Sequence, residues 1–311
     1  PEAIDKIQID ITRSITWGHT KVIVIGKKYA ENNGVSALFD WVARDPSFFI
    51  KTPIFVVSGK AKDVISIAPM YENTPSEILS NIARLNLTFT STIRDFIIGT
   101  TQNQGSAATY LSLIKVPLVS EKKKLSQWKV IKGPALFSSN KMVGTINSTQ
   151  SKLFAWVNNR LQEKITSPVL VVPIEKQNEF INIGLRKFES SVRPILKKNQ
   201  IRYHIDSSAQ AEIVSGDIDF KNIKEPDFAI IENQIKKKLS NELLKALKKS
   251  QRLQADVLQL GNRLEIYNPK KWKQLVPRWK SLYQNNVDFA IDIKIHLKRL
   301  GEMSKPLWKT E

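Results

Sequence analysis

The sequence predicts an α+β protein made of three mixed α/β regions, the last an antiparallel sheet packed against long helices. Three observations carry this. Short β-branched apolar runs alternate with helically spaced segments up to about residue 115. Two strand-like runs separated by Ser138-Ser139-Asn140-Lys141 are followed by a helix. A long apolar stripe and a strictly alternating strand, Val287–Leu297, close the chain. The regions are 1–115, 116–167 and 168–311.

In the first region, Ile4, Ile7 and Ile11 place one apolar face on a helix over Glu2–Ser14. Thr20–Gly26 reads as a buried strand, and Val35–Arg44 as a helix that Asp45-Pro46 stops, because proline pushes its predecessor out of the α region. Pro53–Ser58 is a second strand, Gly59–Ile67 a short helix, and Pro75–Arg84 a helix with proline in its first turn. Thr90–Thr100 is helical. Ser120–Ser126, a charged break, marks the first boundary.

Trp128–Phe137 and Met142–Ile146 form a hairpin. Asn147-Ser148-Thr149 supplies capping side chains for a helix over Lys152–Leu161. Val169–Ile174, Phe180–Phe188 and Ile201–Ile205 are strands. Pro226–Leu260 is the longest helix, with Ile231, Ile235, Leu239, Leu243, Leu247, Val257 and Leu260 near one stripe. Pro269–Tyr283 is a helix bent at Pro277. In the last strand Val287, Phe289, Ile291, Ile293, Ile295 and Leu297 face one way, and charged or small residues the other. A sheet with one wet face is usually antiparallel.

The composition excludes more chemistry than it offers. The 311 residues contain no cysteine, which removes thiolate nucleophiles, Cys-ligated zinc, iron–sulfur clusters and disulfides. The three histidines, His19, His204 and His296, have no metal-ligand spacing and suit structural roles; a serine triad would need one of them beside a strained nucleophile turn, and no such motif is present. Gly26-Lys27 and Gly59-Lys60 follow strands, but neither continues into Ser or Thr as a phosphate loop requires, so turn glycines are the simpler reading. Asp288 and Asp292 are ~13 Å apart along one strand, too far for a carboxylate pair, and Asp217 and Asp219 sit in an expected bend. No cofactor is expected. No apolar stretch is long enough to span a bilayer.

Charge is the strongest bulk signal. The 48 basic and 29 acidic residues give +19, and residues 221–311, with 20 basic and 10 acidic, supply +10 of it. Nucleic acid, anionic lipid and an acidic partner are the functional readings; a solvated lysine-rich surface is the plain one. Lysine outnumbers arginine here, which disfavours base readout. Lys236, Lys237, Lys238, Lys245, Lys248 and Lys249 read as the solvent face of the long helix, and Lys270 and Lys271 flank Trp272 on the next. These eight are the candidate membrane or partner surface. Trp272 and Trp279, seven apart, read as core.

His19, Lys21, Val22 and Gly26, then Arg44-Asp45-Pro46, then Gly59-Lys60-Ala61 with Asp63 and Val64, form an ordered series of motifs. Gly133, Ala135, Phe137, Met142, Val143, Gly144, Leu153 and Trp156 extend it through the hairpin and helix, and Arg299-Leu300-Gly301 after the last strand completes it. This series resembles the C subunits of spore germinant receptors, the GerAC/GerBC-type lipoproteins, over most of the chain. The resemblance implies a non-enzymatic subunit of a nutrient receptor complex at the spore inner membrane, held outward-facing by lipid and working beside membrane-spanning A and B subunits. It also implies a three-domain mixed α/β architecture. The family opens on a signal peptide, a lipidated cysteine and a W-D motif that this sequence does not contain, so a processed or truncated start is expected. One lipid chain anchors only marginally, and lysines near anionic headgroups add ~1 kcal/mol each; the expected partners are therefore the A and B subunits and an anionic membrane surface, with no nucleic acid. The alternative is a basic nucleic-acid-binding protein using the lysine-rich third region.

Overall fold

The computed structural model describes residues 2–9, 11–67, 69, 71–86, 88–117, 125–161, 169–174, 179–197, 200–216 and 225–298. Two mixed sheets organise it. The first has the order β1 (Ile23–Gly26), β2 (Ile54–Val57), β3 (Gly105–Pro117), β4 (Leu125–Ser138) and β5 (Lys141–Thr145). The β1–β2 and β2–β3 pairs are parallel, and β3–β4 and β4–β5 antiparallel. β3 and β4, which lie on either side of residues 118–124, thus share one sheet.

Helices cover both faces of this sheet. One face presents Phe55, Val57 and Leu111 to a 3-10 helix, Ala61–Ser66, and to α4 (Pro75–Arg84). The other presents Ile54, Val56, Ala108 and Phe137 to α3 (Ser36–Arg44) and α5 (Ile93–Thr101). α2 (Lys27–Asn32), which the sequence reading passed over, follows β1 directly. Side-chain caps fix the helix starts. The Thr74 hydroxyl accepts from the Glu77 amide, and Thr92 and Asp95 form a reciprocal capping box at α5. α1 (Glu2–Ile9) is shorter than its apolar spacing predicts, and Ile7, Ile9 and Ile11 are exposed. The Gln8 side chain holds the irregular connection that follows, donating to the carbonyls of Ile11 and Arg13 and accepting from the Ile15 amide.

The second sheet has the order β6 (Val169–Ile174), β7 (Glu179–Lys197), β8 (Gln200–Gly216) and β9 (Val287–Lys298). The mixed α/β class holds, but one pairing differs from the expected antiparallel sheet: β9 runs parallel to β8, from Ile201↔Val287 to Glu212↔Lys298. The cause is the crossover. The helices α7 (Glu225–Arg252), α8 (Leu260–Tyr267), α9 (Pro269–Leu275) and α10 (Trp279–Asn285) return the chain to the starting end of β8, and such a connection delivers a parallel strand. Periodicity reports which face of a strand is wet and is silent on its direction. α7 also ties down the outer edge of β9. Glu232 accepts from the Leu297 amide at 2.7 Å, and Gln251 donates to the Val287 carbonyl at 2.7 Å. Edge groups left open would invite another strand.

The largest core joins the parts. It contains Ala107 and Leu136 from the first sheet, Leu153 to Val157 of α6 (Ser148–Val157), the inner faces of β7, β8 and β9, and the apolar stripe of α7. Pro277 sits in a 3-10 turn, Val276–Arg278, that bends α9 into α10, as expected. Trp272 and Trp279 are fully buried with ring centroids 5.0 Å apart, so their seven-residue spacing is a core stripe. The long helix ends earlier than expected, at Arg252. Val257 and Leu260 are buried from a loop and from the start of α8 rather than from α7 itself.

Candidate functional site

The eight lysines do not form one face. Consecutive residues on a helix diverge by about 100°, so Lys236, Lys237 and Lys238 splay around α7. Lys236 pairs with Asp292 of β9 at 3.0 Å, and Lys245 with Glu242 at 2.8 Å. Lys237, Lys238 and Lys248 are exposed, and Lys249 is half-buried. Lys270 and Lys271 stand apart, on α9. Lys271 Nζ donates to Gln274 Oε1 at 3.5 Å.

Exposed apolar side chains accompany the α9 pair. Ile266 is 84% and Tyr267 63% exposed at the end of α8. Asn268 then caps α9 by accepting from the Lys271 amide, Pro269 fills its first turn, and Lys270, Lys271 and Lys273 follow. Buried Trp272 and Leu275 fix this corner to the core. An apolar tip followed by lysines and held by a buried anchor suits an interface between water and lipid.

The sequence reading missed Asp256, the only buried charged residue among the described residues. Asp256, in the loop between α7 and α8, is fully buried. Its carboxylate accepts from the amides of Leu260 and Gly261, at 2.9 and 3.0 Å, and from the Trp279 indole at 3.0 Å. Burial pushes its pKa up to about 6, against the opposing pull of those three donors and of Arg263. Its carbonyl accepts from the Gly105 amide at 3.1 Å, joining this loop to the first sheet. Neighbouring bonds cross the same junction. Ser138 Oγ donates to the Gln254 carbonyl, Gln104 Nε2 to Asn262 Oδ1, Asn103 Nδ2 to the Val276 carbonyl, and Gln259 Nε2 to the Asp95 carbonyl. Gln254, just past the end of α7, and Gln259, before the start of α8, adopt left-handed backbone, so the chain turns here without glycine or proline. An aspartate inside an apolar stripe, three residues before Gln259 and four before Leu260, was the only sequence signal.

The remaining motifs resolve simply. Gly26 and Gly59 end adjacent parallel strands, and the Lys60 amide is occupied by Asp63 Oδ2 at 2.9 Å, so that turn caps itself. His204 lies 3.4 Å from Asp206 on the wet face of β8; His19 and His296 are exposed elsewhere. Among the described residues, no group of three His, Asp or Glu side chains is placed to hold a metal, and no helix is long and apolar enough to cross a membrane. Asp217 and Asp219 lie outside the described residues.

Two mixed sheets joined through the buried polar junction at Asp256 thus carry the basic and apolar features outward. Two family descriptions match the chain: the spore germination protein N-terminal domain over residues 1–116, and the spore germination B3/GerAC-like C-terminal domain over residues 132–301. The chain therefore belongs to the GerAC-type spore germination family. Similar proteins include spore germination protein B3 of Bacillus subtilis (strain 168), 23% identical over 92% of this chain and 75% of the relative. Spore germination protein KC of the same organism is 20% identical over 98% of this chain and 78% of the relative. The crystal structure of the GerBC protein shares the fold with a TM-score of 0.68 at 18% identity, over 94% of this chain and 82% of the other.

Proposed function

We propose that this protein is the C subunit of a nutrient germinant receptor at the spore inner membrane, a lipid-anchored scaffold that binds its membrane-spanning A and B partners and converts no substrate. Its regions 1–115, 116–167 and 168–311 act as one body through the buried junction at Asp256. Family membership supports the germination role. The observation that carries the membrane reading is the α8–α9 corner, where exposed Ile266 and Tyr267 stand beside Lys270, Lys271 and Lys273. The apolar pair enters the headgroup layer while the lysines meet anionic phosphates at ~1 kcal/mol each. Lys237, Lys238 and Lys248 of α7 add long-range attraction or meet the partner subunits.

Co-sedimentation with phosphatidylglycerol–phosphatidylcholine vesicles tests this. The protein binds them, binding weakens as salt rises, and phosphatidylcholine alone retains little. Ile266→Asp with Tyr267→Asp removes most of the binding while leaving thermal unfolding unchanged, since both side chains are exposed. Binding indifferent to salt, or unaffected by the double substitution, refutes the membrane reading. Tight oligonucleotide binding with a steep salt slope would instead favour a nucleic-acid role.

A further inference from the structure

We propose that a depression where the three regions meet binds a small anion, a carboxylate or a phosphate, between Lys132 and Lys249. It encloses about 410 Å³ and is lined by Tyr110 and Ser112 of β3, Lys132 of β4, Thr145 and Asn147 around the end of β5, and Lys249 of α7. Segments distant in sequence thus converge on one spot.

Backbone geometry builds the site. Tyr110 pairs with Gly133 and Leu111 with Ile131, so Lys132 is the extra residue of a β-bulge. Bulges re-aim side chains out of the regular alternation. Gly133 has φ +111°, and a Cβ there would collide with the Ile146 carbonyl, so no other residue fits without strain. With glycine opposite Tyr110, β4 places no side chain across from the phenol. β5 stops at Thr145, leaving the space beside it open to Lys249.

The chemistry of the lining is one-sided. It holds two ammonium groups, three hydroxyls and an amide, and no carboxylate. On the same helix Lys236 and Lys245 are neutralised by Asp292 and Glu242. Among the described residues neither Lys132 nor Lys249 has such a partner. Two like charges facing one hollow repel each other, and a single anion between them turns that repulsion into two attractions. The capping box at the start of α6 occupies the Asn147 and Gln150 amides, and the charge of the site is supplied by the two lysines. Hydroxyls of Ser112 and Thr145 add hydrogen bonds to the anion's oxygens. An occupant would clamp α7 to the first sheet, stabilising the folded protein as any native-state ligand does.

The proposal is independent of the membrane reading and is tested by isothermal titration calorimetry of the full chain at constant ionic strength. Inorganic phosphate and acetate are the two probes, with chloride as the balancing ion, and their comparison tells which anion class is preferred. Saturable binding of at least one probe is expected. Lys132→Gln and Lys249→Gln each weaken it about tenfold or more, whereas Lys248→Gln, the adjacent exposed lysine, leaves it unchanged. Thermal unfolding confirms that each variant is folded, and vesicle binding by the Lys132 variant remains near wild type. No saturable heat with either anion, or equal weakening by Lys248→Gln, overturns the proposal.

Discussion

Asp256→Ala is expected to destabilise the protein by about 3–5 kcal/mol, because it strands three buried donors at a desolvation cost of ~1–3 kcal/mol each, partly relieved by local rearrangement. The donors are the Leu260 and Gly261 amides and the Trp279 indole. The loss has a distinctive pH dependence. Burial raises the Asp256 pKa from 3.8 to about 6, so the fold favours the protonated carboxyl. A raised pKa contributes stability that is fully present below the unfolded value and is lost as pH rises through about 6. The whole gap is worth ~3 kcal/mol, of which ~2 kcal/mol falls between about pH 4.5 and 7.5. Urea unfolding at those two pH values, in wild type and Asp256→Ala, isolates it. On going to the higher pH, wild type loses ~2 kcal/mol more than the variant. Carboxylates held below their ordinary pKa, such as Asp292 beside Lys236, act in the opposite sense but are common to both proteins and cancel. Arg263, Tyr203 and Tyr283 also face Asp256. Burial holds both phenols well above their ordinary pKa, so neither titrates in this window. Equal pH slopes in the two proteins would show that Asp256 does not change its protonation there.

Trp156→Ala is expected to cost ~3–5 kcal/mol, the range for truncating a fully buried tryptophan. Trp156 is the strut between the middle region and the second sheet. Its indole donates to the Glu189 carbonyl at 3.0 Å, and its ring meets Phe188 edge-on at 5.6 Å. The Glu189 carbonyl lies at the β7 bulge between Arg186 and Glu189, where the ladder to β8 is interrupted. Removing the indole leaves both a cavity and an acceptor without its donor. Trp156→Phe keeps most of the volume and loses the hydrogen bond, so it should cost roughly half as much. Urea midpoints at constant m-value measure both. A Trp156→Ala variant within ~1 kcal/mol of wild type would mean that α6 does not brace the second sheet.

Local signals in the chain were sufficient for most elements and insufficient for those that depend on distant neighbours. Proline at Pro75, the Asp45-Pro46 stop, the alternation over Val287–Leu297 and the Trp272–Trp279 spacing all act within a turn or two, and the structure places each as read. β3 escaped notice because Gly105, Ser106, Ala107, Ala108 and Thr109 are small and give little hydrophobic alternation. They are small because the neighbouring strands and Asp256 approach closely: a Cβ on Gly105 would meet the backbone of Ala255 and Asp256. The direction of β9 and the hub at Asp256 are tertiary facts. Asp256 looks like an error in an apolar stripe until Trp279, 23 residues later, and Gly105, about 150 residues earlier, are brought beside it. The candidate lysines were legible as charges, but the pairing of Lys236 with Asp292 and of Lys245 with Glu242 is a tertiary and local matter that charge alone does not show. The exposed Ile266–Tyr267 corner lay unremarked beside Lys270, because exposure cannot be read from residue type.

The entry of β9 beside β8 has a consequence for how the molecule is made. On the ribosome, the first three strands of the second sheet emerge well before their fourth member, and β8 waits with an open edge while some seventy intervening residues, α7 to α10 among them, are synthesised. Contacts of such long sequence separation form late. Until the last strand arrives, Glu232 and Gln251 have nothing to secure and the apolar side of β8 is incompletely covered. The nascent protein is therefore most vulnerable to misassociation until Val287–Lys298 has emerged, and termination just before Val287 would leave the β8 edge permanently open.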